Sequence, residues 1–157
     1  MQEGLLTPAV ATTVTRLTSH VLDMPLRARD LSIDEWLDKP NPAKWSKIEI
    51  LGHLVDSAIN NLKRFTDAQY LPQPYMIMPY QQDHLVKLNQ YQQLPFDHIL
   101  QLWVSLNQQI LYVIANIPSE KLSWEVIIPS GETKTLGFWI DDYADHMDHH
   151  MRQIFGE

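Results

Sequence analysis

Apolar residues recur at three- and four-residue intervals in four long stretches of the chain, the pattern of amphipathic helices that each turn one face to a core. The first runs from about Pro8 to Leu22, with Val10, Val14, Leu17, Val21 and Leu22 on its stripe. Asp23-Met24-Pro25 is expected to end or kink it, because proline lacks the N–H that a helix interior needs. Asp34 to Leu37 reads as a short turn, and Pro40 and Pro42 as an extended connection. The second helix has the clearest start. In Ser46-Lys47-Ile48-Glu49 the Ser and the Glu three residues on can satisfy free N–H groups reciprocally, as a capping box. Ile48, Leu51, Val55, Ala58, Leu62 and Phe65 then form a stripe running to about Tyr70.

Pro95 opens the third helix, where a missing N–H costs nothing. Phe96, Ile99, Leu100, Trp103, Leu106, Ile110, Val113 and Ile117 carry its apolar face, and Pro118 stops it. The fourth helix spans about Leu136 to Phe155, burying Leu136, Ile140, Tyr143, Met147, Met151 and Ile154. Between the second and third helices lie residues 71–95, with four prolines and a short helix expected over Asp83 to Tyr91. Residues 119–135 read as irregular, with Trp124 to Ile128 as a short extended piece before the Pro129-Ser130-Gly131 turn. The pattern predicts one all-α domain over residues 1–157, a four-helix bundle with a long crossover connection between helices 2 and 3.

Composition narrows the chemistry. The 157 residues include no Cys, which excludes disulfides, a nucleophilic thiol and thiolate zinc sites. Absence of Cys fits a reducing cytosol. Met1 to Leu6 shows no basic segment followed by an apolar one, so no signal peptide is expected, and no apolar run is long enough to span a bilayer. A net charge of −7 argues against nucleic-acid binding, which needs a basic patch. A cytoplasmic protein with a small-molecule substrate is the expectation.

The seven His are more informative, because His146, His149 and His150 cluster near the C-terminus. His146 and His150, at i and i+4, place their β-carbons ~5–6 Å apart on one helix face. Two imidazoles so placed can converge on one ion, at nitrogen–zinc distances of ~2.0–2.1 Å. His150 falls inside the apolar stripe, His146 on its flank and His149 towards solvent. The bland alternative is that either residue is an ordinary hydrogen-bonded core histidine. A third ligand must come from another element, and His53 on the second helix is the best candidate. Periodicity leaves its setting open. It shares a polar stripe with Ser57, Asn60 and Arg64, which is either a solvated face or the lining of a wet cavity between helices.

His20, His84 and His98 have no partner at ligand spacing and read as surface or capping residues. The Asp141-Asp142 pair suits a helix start, where carboxylates favour the dipole. Asp142 is also one turn before His146, placed to accept a hydrogen bond from a ligand imidazole or to act as a base. Tyr143, Met147 and Met151 read as packing. Tyr75-Met76-Ile77-Met78-Pro79-Tyr80 is an apolar stretch in a connection, either a cavity lid or a subunit contact.

Trp45-Ser46-Lys47-Ile48-Glu49-Ile50-Leu51-Gly52-His53-Leu54-Val55-Asp56-Ser57 resembles the second-helix signature of the DinB-like superfamily. Asn60, Arg64-Phe65, Pro79-Tyr80, Thr135-Leu136 and His146-Met147-Asp148-His149-His150 extend the resemblance towards its YfiT-like branch, over roughly residues 8–156. The resemblance implies a four-helix bundle, often a homodimer, with one divalent metal (nickel, zinc or iron) held by three His that fall on His53, His146 and His150. Characterised members of the family include transferases of low-molecular-weight thiols such as bacillithiol, and relatives that use mycothiol or glutathione. Many others are described only as metal-dependent hydrolases.

Three neutral imidazoles leave an ion its full charge and an open position. Water there would ionise near neutral pH, and a small thiol would be deprotonated. Hydrolase and thiol transferase thus share one site, and the resemblance favours the transferase. Arg64 and Asn60, beyond His53 on its stripe, would bind a carboxylate of the thiol cosubstrate. The rival class is a non-catalytic metal-binding or interaction module. Structural zinc is normally closed by four ligands, and only three good ones are present.

Overall fold

The computed structural model describes residues 8–157, so the N-terminal residues that bear on a leader lie outside it. In chain order the helices are α1 (Pro8–Arg27), α2 (Ile33–Leu37), α3 (Lys47–Asp67), α4 (Gln82–Leu88), α5 (Phe96–Ala115) and α6 (Leu136–Phe155). The four long ones, α1, α3, α5 and α6, make the bundle. α3 packs on α5 and α6, and so does α1, so α1 faces α3 across the diagonal. The expected stripes meet at the centre, where Leu17, Leu51, Phe65, Trp103, Ile110, Ile140, Tyr143 and Ile154 are buried. No helix among the described residues is long and apolar enough to cross a membrane.

Local signals fix most helix ends. The Ser46 capping box forms as expected, with both the Ser46–Glu49 side-chain contacts in place. Thr135 caps α6 by accepting from the Phe138 N–H, and Gly156 closes it in the left-handed region at φ 76°. Several elements differ from expectation, among them α4, which ends at Leu88 rather than Tyr91. α1 runs through Pro25 to Arg27, because Met24 and Ala28 are buried and the missing N–H falls in the last turn, where little of the ladder remains to lose. Asp34–Leu37 is a true helix with its own capping box, Ser32 with Glu35. α3 stops at Asp67 and α5 at Ala115, one turn or less before the expected ends.

The connections hold more structure than their pattern shows. Residues 119–135 are not merely irregular: β2 (Glu125–Ile127) and β3 (Thr133–Thr135) pair antiparallel around the Pro129-Ser130-Gly131 turn. β1 (Tyr75–Met76), from the crossover, adds to β2 in parallel, with Tyr75 opposite Val126. These strands are too short for a period of two to register. The sheet anchors the crossover, which then carries Ile77 into the core and brings Tyr80 back over α3. α1 is tied to α6 by polar side chains. Thr13 contacts Asp141, and Arg16 reaches both Asp148 and Asp145, the latter at 2.6 Å.

Candidate metal centre

Because α3 and α6 lie side by side, His53 from one faces His146 and His150 from the other. The Nε2 atom of His146 lies 3.0 Å from Nε2 of His53 and 3.0 Å from Nε2 of His150. His53 is fully buried, His150 is buried and His146 is half-buried. The polar stripe of α3 therefore lines the interior: Ser57 is buried beside His53. His149 points outward, and His84 and His98 are exposed. His20 departs from the surface reading. It is half-buried, with Nε2 2.5 Å from Asp148, because α1 lies against α6 at that point.

The outer nitrogens decide how the rings are used. Nδ1 of His150 lies 2.7 Å from Gln153 Oε1, an acceptor that draws the ring proton to Nδ1 and leaves Nε2 as a bare lone pair. Nδ1 of His146 faces Ser57 Oγ at 3.5 Å. Nδ1 of His53 is buried with no partner. Trp45 lies against the His53 ring, with centroids 4.8 Å apart. Protonation cannot relieve the crowding of nitrogens. Burial, reinforced by the neighbouring imidazoles, pulls His53 down to about 3 and His146 down to about 4, and burial lowers His150 as well.

His146 Nε2 can carry at most one proton, so it can satisfy at most one of its two close neighbours. Converging lone pairs in a buried site are unfavourable unless a cation sits among them. The donor set therefore fits a divalent ion, which the three neutral imidazoles of His53, His146 and His150 would hold. Gln153 and Ser57 then serve as the outer partners that orient ligand rings. Gln153 escaped the sequence reading, although its position three residues beyond His150 puts it on the same face.

A second group of polar residues lies about two to three turns further along α3 from His53. Arg64 donates from Nη1 to Asn61 Oδ1 at 3.0 Å, and its guanidinium lies 5.5 Å from the centre of the Trp139 ring. Tyr75, Tyr80 and Asp142 lie near it. The Tyr80 hydroxyl meets Ser57. Asn60 is turned elsewhere, with its amide donating to the Asp56 backbone carbonyl at 2.9 Å. Asp142 makes no hydrogen bond to a ring nitrogen among the described residues. Ser57 and Gln153 hold those positions instead of the expected carboxylate. Burial, and the charge of Asp145, raise the Asp142 pKa. A cleft of ≈ 470 Å³ is bordered by Lys44, Trp45, Gln82, Asp83 and Gln153, of which Trp45 touches His53 and Gln153 touches His150.

A family model described as the DinB superfamily matches residues 17–154. The chain belongs to the DinB superfamily. Its bundle is similar to that of YfiT from Bacillus subtilis, described as a probable metal-dependent hydrolase with an unusual four-helix bundle topology. That similarity has a TM-score of 0.84 at 17% identity and covers 98% of this chain and 88% of that one. A mycothiol-dependent maleylpyruvate isomerase is also similar, with a TM-score of 0.72 at 13% identity, over 92% of this chain. This DinB-superfamily chain spans only 60% of that longer protein. At such identities the likeness is one of fold. A comparison with curated proteins finds no match.

Proposed function

We propose that this protein is a metal-dependent enzyme that transfers a low-molecular-weight thiol to a small electrophilic substrate. The observation that carries the reading is the 3.0 Å approach of His146 Nε2 to the Nε2 atoms of both His53 and His150. A divalent ion there, such as nickel, zinc or iron, acts as a Lewis acid that favours the deprotonated form of a thiol or water. The chain has no Cys, so the thiol comes from the cosubstrate.

The remaining steps belong to side chains. Gln153 and Ser57 hold the ligand rings in register. Trp45 and the buried α3 face keep bulk water from the inner side of His53. Arg64 is the proposed substrate-binding residue, and Asn60 would join it only by giving up the bond of its amide to the Asp56 carbonyl. Asp142, one turn before His146 on α6, is the proposed base, and its pKa is raised by burial and by the charge of Asp145. We further propose a cytoplasmic homodimer acting on a small molecule.

A hydrolase is the second reading, favoured by the similarity to a protein described as a probable metal-dependent hydrolase. The test is to load the full chain with nickel, zinc or iron and assay it against an alkyl halide with and without a small thiol, beside a panel of esters and amides. Thiol-dependent consumption of the halide supports the transferase. Ester or amide cleavage without thiol supports the hydrolase. Turnover of neither, with an ion whose removal unfolds the bundle, would replace both with a structural metal-binding module.

A further inference from the structure

Arg64 is a half-buried cation with no anion paired to it among the described residues. Its guanidinium makes one side-chain hydrogen bond, to the neutral Asn61 amide, and no carboxylate lies within ion-pair range of it among the described residues. Guanidinium stays charged even when burial lowers its pKa, as it does here. Partial withdrawal of a charge from water favours pairing it with an anion. Among the described residues the guanidinium spends one N–H on Asn61, and its other nitrogens still reach solvent, where an anion can meet them.

Two more donors stand near it, one of them without a partner among the described residues. The indole Nε1 of Trp139 is buried with no acceptor, and the ring carrying it lies 5.5 Å from the guanidinium. Tyr80, brought over α3 by the crossover, keeps its phenolic proton because burial raises its pKa. Its hydroxyl meets Ser57, which in turn faces His146 Nδ1 at 3.5 Å. Tyr80 is therefore separated from His146 by the Ser57 side chain alone, and Arg64 and Trp139 lie further off along α3 and α6. Asp142 is the internal rival for the guanidinium, but it lies beyond ion-pair range and its own pKa is raised.

We propose that Arg64, Trp139 and Tyr80 form a receptor for a small organic carboxylate, and that the thiol used by this site carries that carboxylate. The guanidinium supplies the charge and a planar fork that matches two carboxylate oxygens. Trp139 and Tyr80 supply neutral donors at its edges. The second half of the proposal rests on the thiol-transfer reading. The first half does not.

The test uses isotopically labelled full-length chain, with the Trp139 indole N–H resonance identified by its loss in Trp139→Phe. Metal-free protein is titrated with propionate and with propan-1-ol. Nickel-loaded protein is titrated with 3-mercaptopropionate and with 3-mercaptopropan-1-ol, followed by thiolate-to-nickel charge-transfer absorbance. Propionate, and not the alcohol, should move the Trp139 resonance. The mercapto acid should bind roughly tenfold more tightly than the mercapto alcohol, as one charge-assisted pair implies.

Arg64→Gln should abolish both preferences and leave the alcohols unchanged. Tyr80→Phe, in a connection rather than the bundle core, should weaken the acid preference by roughly threefold. An unmoved Trp139 resonance, or an acid preference that survives Arg64→Gln, overturns the receptor. A propionate response without any charge-transfer band supports the receptor and removes the metal–thiol reading. A band of equal strength for both thiols, with propionate still sensed, removes only the link between carboxylate and thiol.

Discussion

The ring of Tyr91 rests directly on the bare Cα of Gly52, so closely that a Cβ added there would lie 2.1 Å from Tyr91 Cγ. This contact seats the residue next to His53 against the connection that follows α4. The Tyr91 hydroxyl donates to Asp56 Oδ1 at 2.6 Å, joined by the Asn89 amide at 2.8 Å. Position 52 therefore helps to hold the α3 face that carries the inner ligand.

Gly52→Ala should destabilise the protein by about 1–3 kcal/mol, the usual range for overpacking a filled core. Chemical denaturation measures it. In a Tyr91→Ala background most of that cost should vanish, because the obstructing ring is gone. A full cost in both backgrounds would place the strain elsewhere.

Gln153→Ala and Ser57→Ala should leave the bundle folded and weaken metal binding by about 10–100-fold, as loss of ring-orienting partners does. The larger effect is expected for Gln153, whose contact to His150 is 2.7 Å against 3.5 Å for Ser57 to His146. Competition with a chelator of known affinity gives the ratio. Unchanged affinity in Gln153→Ala would mean that His150 is oriented by packing alone.

Metal-free protein should lose stability as the pH falls from 6.5 towards 3. His53 and His146 have folded pKa values depressed to about 3 and about 4, from 6.5. Between these limits the unfolded chain binds more protons than the folded one, so stability rises with pH across the window and acid favours unfolding. The slope is at most about 1.4 kcal/mol per pH unit for each imidazole. Urea midpoints at a series of pH values report it. A His53→Gln, His146→Gln double variant should show a flatter dependence over the same range, and an unchanged slope would assign it to other groups.

The bundle was legible because its helices are long and their stripes regular. Ile99, Trp103, Ile110 and Ile114 on α5 are all fully buried, and the spacing of most of them announced it. The short pieces were not legible. A strand of two residues, Tyr75–Met76, has no period to read, and its partner Glu125–Ile127 lies some fifty residues further along the chain. Ser32 and Glu35 carried the same capping signal as Ser46 and Glu49, but the apolar run behind them was too brief to stand out. Pro25 misled because its cost depends on where the helix ends, which burial of Met24 and Ala28 decides.

The histidines divided in the same way. The i, i+4 spacing of His146 and His150 follows from helix geometry. Whether His53 faced water or the interior depended on which helix lay beside α3, and spacing along one helix does not contain that. The setting of Arg64 was hidden for a related reason. Tyr80 and Trp139 come from the crossover and from α6, so only the folded chain brings the three donors together.

The most direct test is metal content per chain, measured by elemental mass spectrometry on untagged wild type and His150→Ala purified side by side. About one equivalent of a divalent transition metal in wild type, and little in the variant, is the predicted result for a three-histidine site. No metal in either, even after incubation with nickel, zinc and iron, would contradict it and leave His53, His146 and His150 as a histidine cluster without an ion.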